Sequence, residues 1–142
     1  MMDHVLVDTD VILDFFFDRQ PFAESATEVF NRCEGNKIKG FTTPVIICNV
    51  YYLLCKTANH QLVVEKLKQL LNIIDITTMN KDVVFEALNS EFRDFEDALQ
   101  NFSAVQNGKI NIILTRNIKD FKRSHMAILT PEHYLRGKDS SL

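Results

Sequence analysis

The stretch His4-Val5-Leu6-Val7-Asp8-Thr9-Asp10-Val11-Ile12-Leu13-Asp14 decides how this chain is read. Val5, Leu6 and Val7 form an apolar run without polar alternation, the pattern of a strand buried on both faces of a parallel sheet. The run ends abruptly in acid. Ligands of open α/β sheets bind outside the carboxyl ends of the strands, so Asp8 and Asp10 stand where a site is expected. A carboxylate held ionised at the edge of a core is costly unless a cation or hydrogen-bond donors compensate it. A plainer role for Asp8 is to cap the helix that begins near Asp10. Two later acid groups at comparable places favour a function.

Outward from that stretch the chain alternates. Residues 11–17 read as a short helix stopped by Asp18-Arg19-Gln20-Pro21, and Pro21 opens a second helix closed by Gly35. Residues 37–42 alternate as a strand, and Thr43 with Pro44 starts a third helix running to Lys56. That helix is apolar nearly all round, which predicts burial or cover by a partner subunit. Its polar exception, Asn49, reads from the residues alone as a core amide bonded to backbone. A helix over 60–71, a strand over 72–77 and a helix over 81–88 follow. Then come a helix over 94–106, strands over 110–114 and 126–129, and a short last helix from Pro131. Strands alternating with helices imply an α/β fold: one three-layer domain, a central parallel sheet of about five strands flanked by helices. The expected domain covers residues 1–136, with a polar tail over 137–142.

The second acid group lies in Asp94-Phe95-Glu96-Asp97-Ala98-Leu99-Gln100-Asn101-Phe102. At 100° per residue, Phe95, Ala98, Phe102 and Val105 share an apolar stripe. Asp94 and Asp97 border it one turn apart, where like charges repel unless a cation bridges them. Glu96, Gln100 and Ser103 are expected to face solvent. An N-cap role for Asp94 stands beside a catalytic one, and Asp97 is expected to hold metal. Asp120, just beyond the strand over 110–114, forms the third group. Oxygen ligands without nearby Cys or His point to Mg²⁺ or Mn²⁺ rather than zinc. Thr9, Asp10, Asn49, Thr115 and Asn117 are expected around the same pocket.

At 142 residues, with 46% apolar content, four Gly and three Pro, the chain fits one globular domain without linkers. Nothing resembles a signal peptide or a run of ~20 apolar residues, so no membrane association and a cytoplasmic location are expected. Cys33, Cys48 and Cys55 read as reduced core thiols. A net charge of -3 argues against a protein that coats nucleic acid, but not against a nuclease with a local basic strip. Such a strip occurs: Arg116, Lys119, Lys122 and Arg123 are the expected RNA contacts.

With these residues in view, the chain resembles a PIN domain of the small type found as VapC-like toxins. The resemblance rests on Val-Leu-Val-Asp-Thr-Asp-Val-Ile-Leu-Asp, Asp-Phe-Glu-Asp-Ala-Leu-Gln, and Leu-Thr-Arg-Asn-Ile-Lys-Asp-Phe at 114–121. It implies a metal-dependent endoribonuclease, with a protein antitoxin and a homodimer as expected associations. Asp8, Asp97 and Asp120 carry over as metal acids, with Asp94 assisting. One departure is plain: the family usually has a Glu early in the helix after the second strand, and Asn49 holds that place. The alternatives are a catalytically weakened PIN fold that binds RNA or protein, and a haloacid-dehalogenase-like phosphatase using Asp8-Thr9-Asp10. The second lacks a later acidic pair after a lysine.

Overall fold

The structure, a computed structural model, describes residues 2–140, with side chains described for 2–138. Strand β1 (His4–Val7) lies at the centre of a five-stranded sheet of order β3-β2-β1-β4-β5. Its neighbours are β2 (Lys39–Thr42) and β4 (Ile112–Leu114), and β3 (Asp75–Ile76) and β5 (Ala127–Leu129) form the edges. Every pairing is parallel, with Leu6 opposite Phe41 on one side and Ile113 on the other.

The unbroken apolar run of β1 is explained by cover on both faces. Val5 and Val7 join the larger core, shared with Val11 and Ile12 of α1 (Thr9–Phe16) and Val29 and Phe30 of α2 (Ala23–Glu34). That core continues into α3 (Pro44–Leu54), α4 (His60–Leu71) and α7 (Pro131–Ser140). Leu6 points the other way, against Phe41, Ala104, Ile113 and Phe121. There α5 (Lys81–Leu88) and α6 (Phe95–Asn107) close the third layer through Val83, Ala87, Ala98 and Leu99. A 3-10 turn over Ile118–Phe121 leads from β4 toward β5. At Gly40 a Cβ would meet Ile74 Cγ2 at 2.6 Å and Cys33 Sγ at 2.8 Å, so β2 packs against its neighbours only without a side chain there.

After β1 the chain runs outward through β2 and β3, then returns to the other side of β1 as β4. The strand order therefore reverses between β1 and β4, which opens a crevice at their carboxyl ends. The amide of Asp8 donates to the Leu114 carbonyl at 3.0 Å, so the two strands leave the sheet side by side.

Local signals place the helices. Thr43 Oγ1 accepts from the Ile46 amide at 3.0 Å with Pro44 in the first turn, and Asn59 and Asn80 cap α4 and α5. The second helix begins at Ala23 rather than Pro21. Residues 137–140 continue the last helix, and residues 141–142 of the expected tail lie outside the described residues. The third helix is not covered all round: Ile46, Val50 and Leu54 are buried, whereas Cys48 and Tyr52 are exposed. Of the three free thiols, Cys33 alone is buried. No helix among the described residues is long and apolar enough to cross a membrane.

Candidate active site

Asp8 is the first residue beyond β1, and its side chain both caps α1 and lines the cleft. Oδ1 accepts from the Thr9 amide at 2.7 Å, closing the first turn of α1. Oδ2 accepts from the Thr115 hydroxyl at 2.8 Å, and Thr115 Oγ1 accepts in turn from the Asn117 amide at 3.0 Å. The residue is only 6% exposed. Burial pushes its pKa up, against the opposing pull of Thr115, Thr9 and the Gln100 side chain, while the charge of Asp120 pushes further.

Asp10 faces the same loop. Its Oδ2 accepts from the Arg116 amide at 2.9 Å, and Oδ1 is buried without a hydrogen-bond partner among the described residues. Burial first, and the Asp8 charge second, raise its pKa to about 6.

The third wall comes from α6. Asp94 caps it, accepting from the Asp97 amide at 3.0 Å. Asp97 is pushed up to about 7, first by burial and then by the charges of Asp94, Asp8, Asp120 and Glu96. These acids therefore feel one another, and raised pKa values in a cleft mark a candidate functional site. The cleft has a volume of about 590 Å³ and opens onto Asp8, Asp94, Asp97 and Asp120, with Thr9, Asp10, Asn49 and Asn117 around them. Among the described residues no three His, Cys, Asp or Glu side chains form a compact metal cage.

Three expectations are corrected. Glu96 does not face away: it lines the cleft, and burial together with Asp94 and Asp8 raises its pKa. Gln100 and Ser103 are buried, while Phe95 and Val105 of the expected apolar stripe are exposed. The helix is turned because its polar residues find partners inside. Gln100 lies against Asp8, Asn101 Oδ1 accepts from Ser124 Oγ at 2.5 Å, and Ser103 Oγ donates to Thr77 Oγ1 at 2.6 Å. Asn49 is not a core amide, since it is half-buried and faces the cleft.

The basic strip is also divided. Arg116 is engaged inward: Nε donates to Asp14 Oδ2 at 2.7 Å, a second guanidinium nitrogen donates to Oδ1 at 3.0 Å, and the group stacks over Phe22 at 3.9 Å. Arg123 lies 3.5 Å from Glu91, and Lys119 and Lys122 are exposed outside the cleft lining. The cations that do line the cleft among the described residues are Arg19 and Lys56, joined by Tyr52, which the sequence reading did not single out. Their signal was available: Asn49, Tyr52, Leu53 and Lys56 follow the i, i+3, i+4, i+7 spacing of one helix face.

The fold and site define a doubly wound α/β domain with an acidic cleft at its topological switch point. The chain belongs to the PIN domain family, whose pattern matches residues 4–119. It is 29% identical over 137 residues to Ribonuclease VapC1 of Aquifex aeolicus, covering 93% of each chain. Among solved structures it is similar to a toxin-antitoxin complex from Klebsiella pneumoniae. That match has a TM-score of 0.66 and 19% identity, covering 89% of this chain and 97% of the other. It is also similar to VapBC-1 from nontypeable Haemophilus influenzae, with a TM-score of 0.67 and 12% identity, covering 91% and 98%. The family assignment removes the phosphatase alternative.

Proposed function

We propose that this chain is an endoribonuclease of the VapC toxin type, dependent on a divalent cation and controlled by a protein antitoxin. The single observation that carries the reading is the meeting of Asp8, Asp97 and Asp120 in one cleft at the carboxyl end of β1 and β4. The relationship to a VapC ribonuclease supplies the substrate class, RNA. The similarity to a toxin-antitoxin complex supports the antitoxin. The expected homodimer is part of the same proposal.

The donor set fits a hard cation. It consists of oxygen ligands whose charges repel, and two buried oxygens, Asp10 Oδ1 and Gln100 Oε1, lack partners among the described residues. Asp8, Asp97 and Asp120 would hold Mg²⁺ or Mn²⁺, with waters completing a shell that these side chains do not close themselves. When bound, such a cation supplies a water of lowered pKa and neutralises charge developing on the phosphodiester. Thr115 and the Thr9 amide fix both oxygens of Asp8. Asp94 holds the first turn of α6 and so the position of Asp97. Glu96 adds negative charge to the same wall.

The test is RNA cleavage in Mn²⁺ by Asp8→Asn and Asp97→Asn, with melting curves on the same samples. Both variants are expected to fold and to lose cleavage. Undiminished cleavage by both would end the proposal.

A further inference from the structure

The cleft has two unlike walls. One is acid, from the end of β1, the start of α6 and the turn after β4. The other is the C-terminal end of α3 and the turn after it, where Asn49, Tyr52, Leu53 and Lys56 line the cleft, with Arg19 of the α1–α2 connection beside them. The adjoining face of α3 supplies Ile46, Val50 and Leu54 to the core, with Leu53 packed at its edge, so burial of that side fixes the direction of the cleft-lining stripe. Tyr52 is 64% exposed, although its ring lines the recess. It is braced edge-on by Tyr51 at 5.1 Å and 81°, and the Tyr51 hydroxyl is held by His60 Nδ1 at 2.8 Å. The ring therefore stands on a fixed support with its surface free.

The cations of this wall are only lightly engaged, Arg19 lying over the Phe17 ring at 5.2 Å. Lys56 is exposed and pairs with no acid among the described residues. Arg19 approaches Asp14 at 3.8 Å, but Asp14 is already gripped by two Arg116 nitrogens. Arg19 is thus oriented without being consumed. An acid wall that takes a cation accounts for one phosphate of an RNA chain. The neighbouring nucleotide still brings a base with an apolar face and a second negative charge.

We propose that the α3 wall is a nucleotide subsite, in which the Tyr52 ring stacks on one base of single-stranded RNA while Lys56 and Arg19 hold the adjoining phosphate. The proposal rests on the ribonuclease reading and adds the residues that grip the substrate beside the cut. Stacking of a base on an aromatic side chain tolerates any sequence, so this wall contributes affinity and register rather than base identity.

The experiment is single-turnover cleavage of a short single-stranded RNA in Mn²⁺, read as half-saturating enzyme concentration and maximal rate. Tyr52→Ala is expected to raise the half-saturating concentration by about 5- to 150-fold, the range for one lost base stack, with the maximal rate retained. Tyr52→Phe and Tyr52→Trp should restore wild-type behaviour, since both keep a stacking face. Lys56→Ala should lower the salt slope by about 0.7, and Lys56→Arg should restore it. A substrate carrying an abasic ribose at one position should weaken wild-type binding but not that of Tyr52→Ala. If wild type cleaves and Tyr52→Ala matches it on every substrate, the subsite is wrong and the ribonuclease reading stands. If wild type neither binds nor cleaves RNA, the ribonuclease reading itself fails.

Discussion

Arg116 belongs by charge to a basic run and by geometry to the interior, and the two assignments predict opposite phenotypes. Its guanidinium makes two charge-assisted hydrogen bonds to Asp14, at 2.7 and 3.0 Å. The Asp14 side chain is 2% exposed and the Arg116 side chain 28%. Arg116→Ala would leave a buried carboxylate with only Arg19, among the described residues, at 3.8 Å to answer it. Breaking a buried pair by removing one partner costs about 3–5 kcal/mol. For a domain of this size that corresponds to a fall in Tm of roughly 6–20 °C. Arg116→Lys should recover only part of the loss, because an ammonium cannot reproduce the two-pronged contact. Removing both charges with Asp14→Leu and Arg116→Met should recover most of it, since no unpaired charge is then buried. Thermal melting of the four proteins, with RNA binding measured on those that remain folded, is the assay. An unchanged Tm for Arg116→Ala, together with a fall in RNA affinity, would refute the reasoning and return Arg116 to the RNA surface.

Three further outcomes concern the cleft and the exposed lysines beside it. Without metal, the raised pKa values of Asp97 and Asp10 mean that the folded protein holds protons which the unfolded chain releases near the ordinary aspartate value of 3.8. The contribution of these two groups to stability should therefore be full below about pH 4 and be lost as pH rises through about 6 to 7. Mn²⁺ or Asp97→Asn should flatten that slope, and melting against pH checks it. Asn49→Glu, which adds a carboxylate to the cleft, should lower Tm in EDTA, enlarge the stabilisation by Mn²⁺ and raise cleavage; a loss of Tm both with and without Mn²⁺ would contradict the cleft-facing position. Replacing Lys119 and Lys122 together by Ala should reduce the salt slope of single-strand binding by about 1.4, and an unchanged slope would make them ordinary surface charge.

Structure is legible in the sequence where a local rule and the tertiary answer agree. The unalternating Val5-Leu6-Val7 run means burial on both faces, and both faces are covered. Thr43-Pro44 means a helix start, and the Thr43 hydroxyl caps it. For Asp8 the cap role holds, since one oxygen accepts from the Thr9 amide, and that role leaves the other oxygen to accept from Thr115 beside the cleft. The failures share one cause, which is that a linear pattern cannot see a partner distant in sequence. The phase of α6 was drawn from its apolar residues, but Ser103 is buried by Thr77, 26 residues earlier, and Asn101 by Ser124, 23 residues later. Rotating the helix to satisfy those amides and hydroxyls carries Glu96 into the cleft and leaves Phe95 and Val105 outside. Arg116 is taken out of the basic strip by a carboxylate 102 residues away. On α3 an almost wholly apolar composition concealed a cleft-lining face, because Tyr52 and Leu53 count as apolar beside Ile46 and Val50. In each case the side chain's surroundings were settled by one hydrogen bond, ion pair or opening that packing supplies. The commitments of Asp8, Asp14 and Arg116 gather beyond the carboxyl ends of β1 and β4, because that is where the strand order reverses and the backbone leaves room for them, whereas Ser103 and Asn101 find theirs beside β3 and β5.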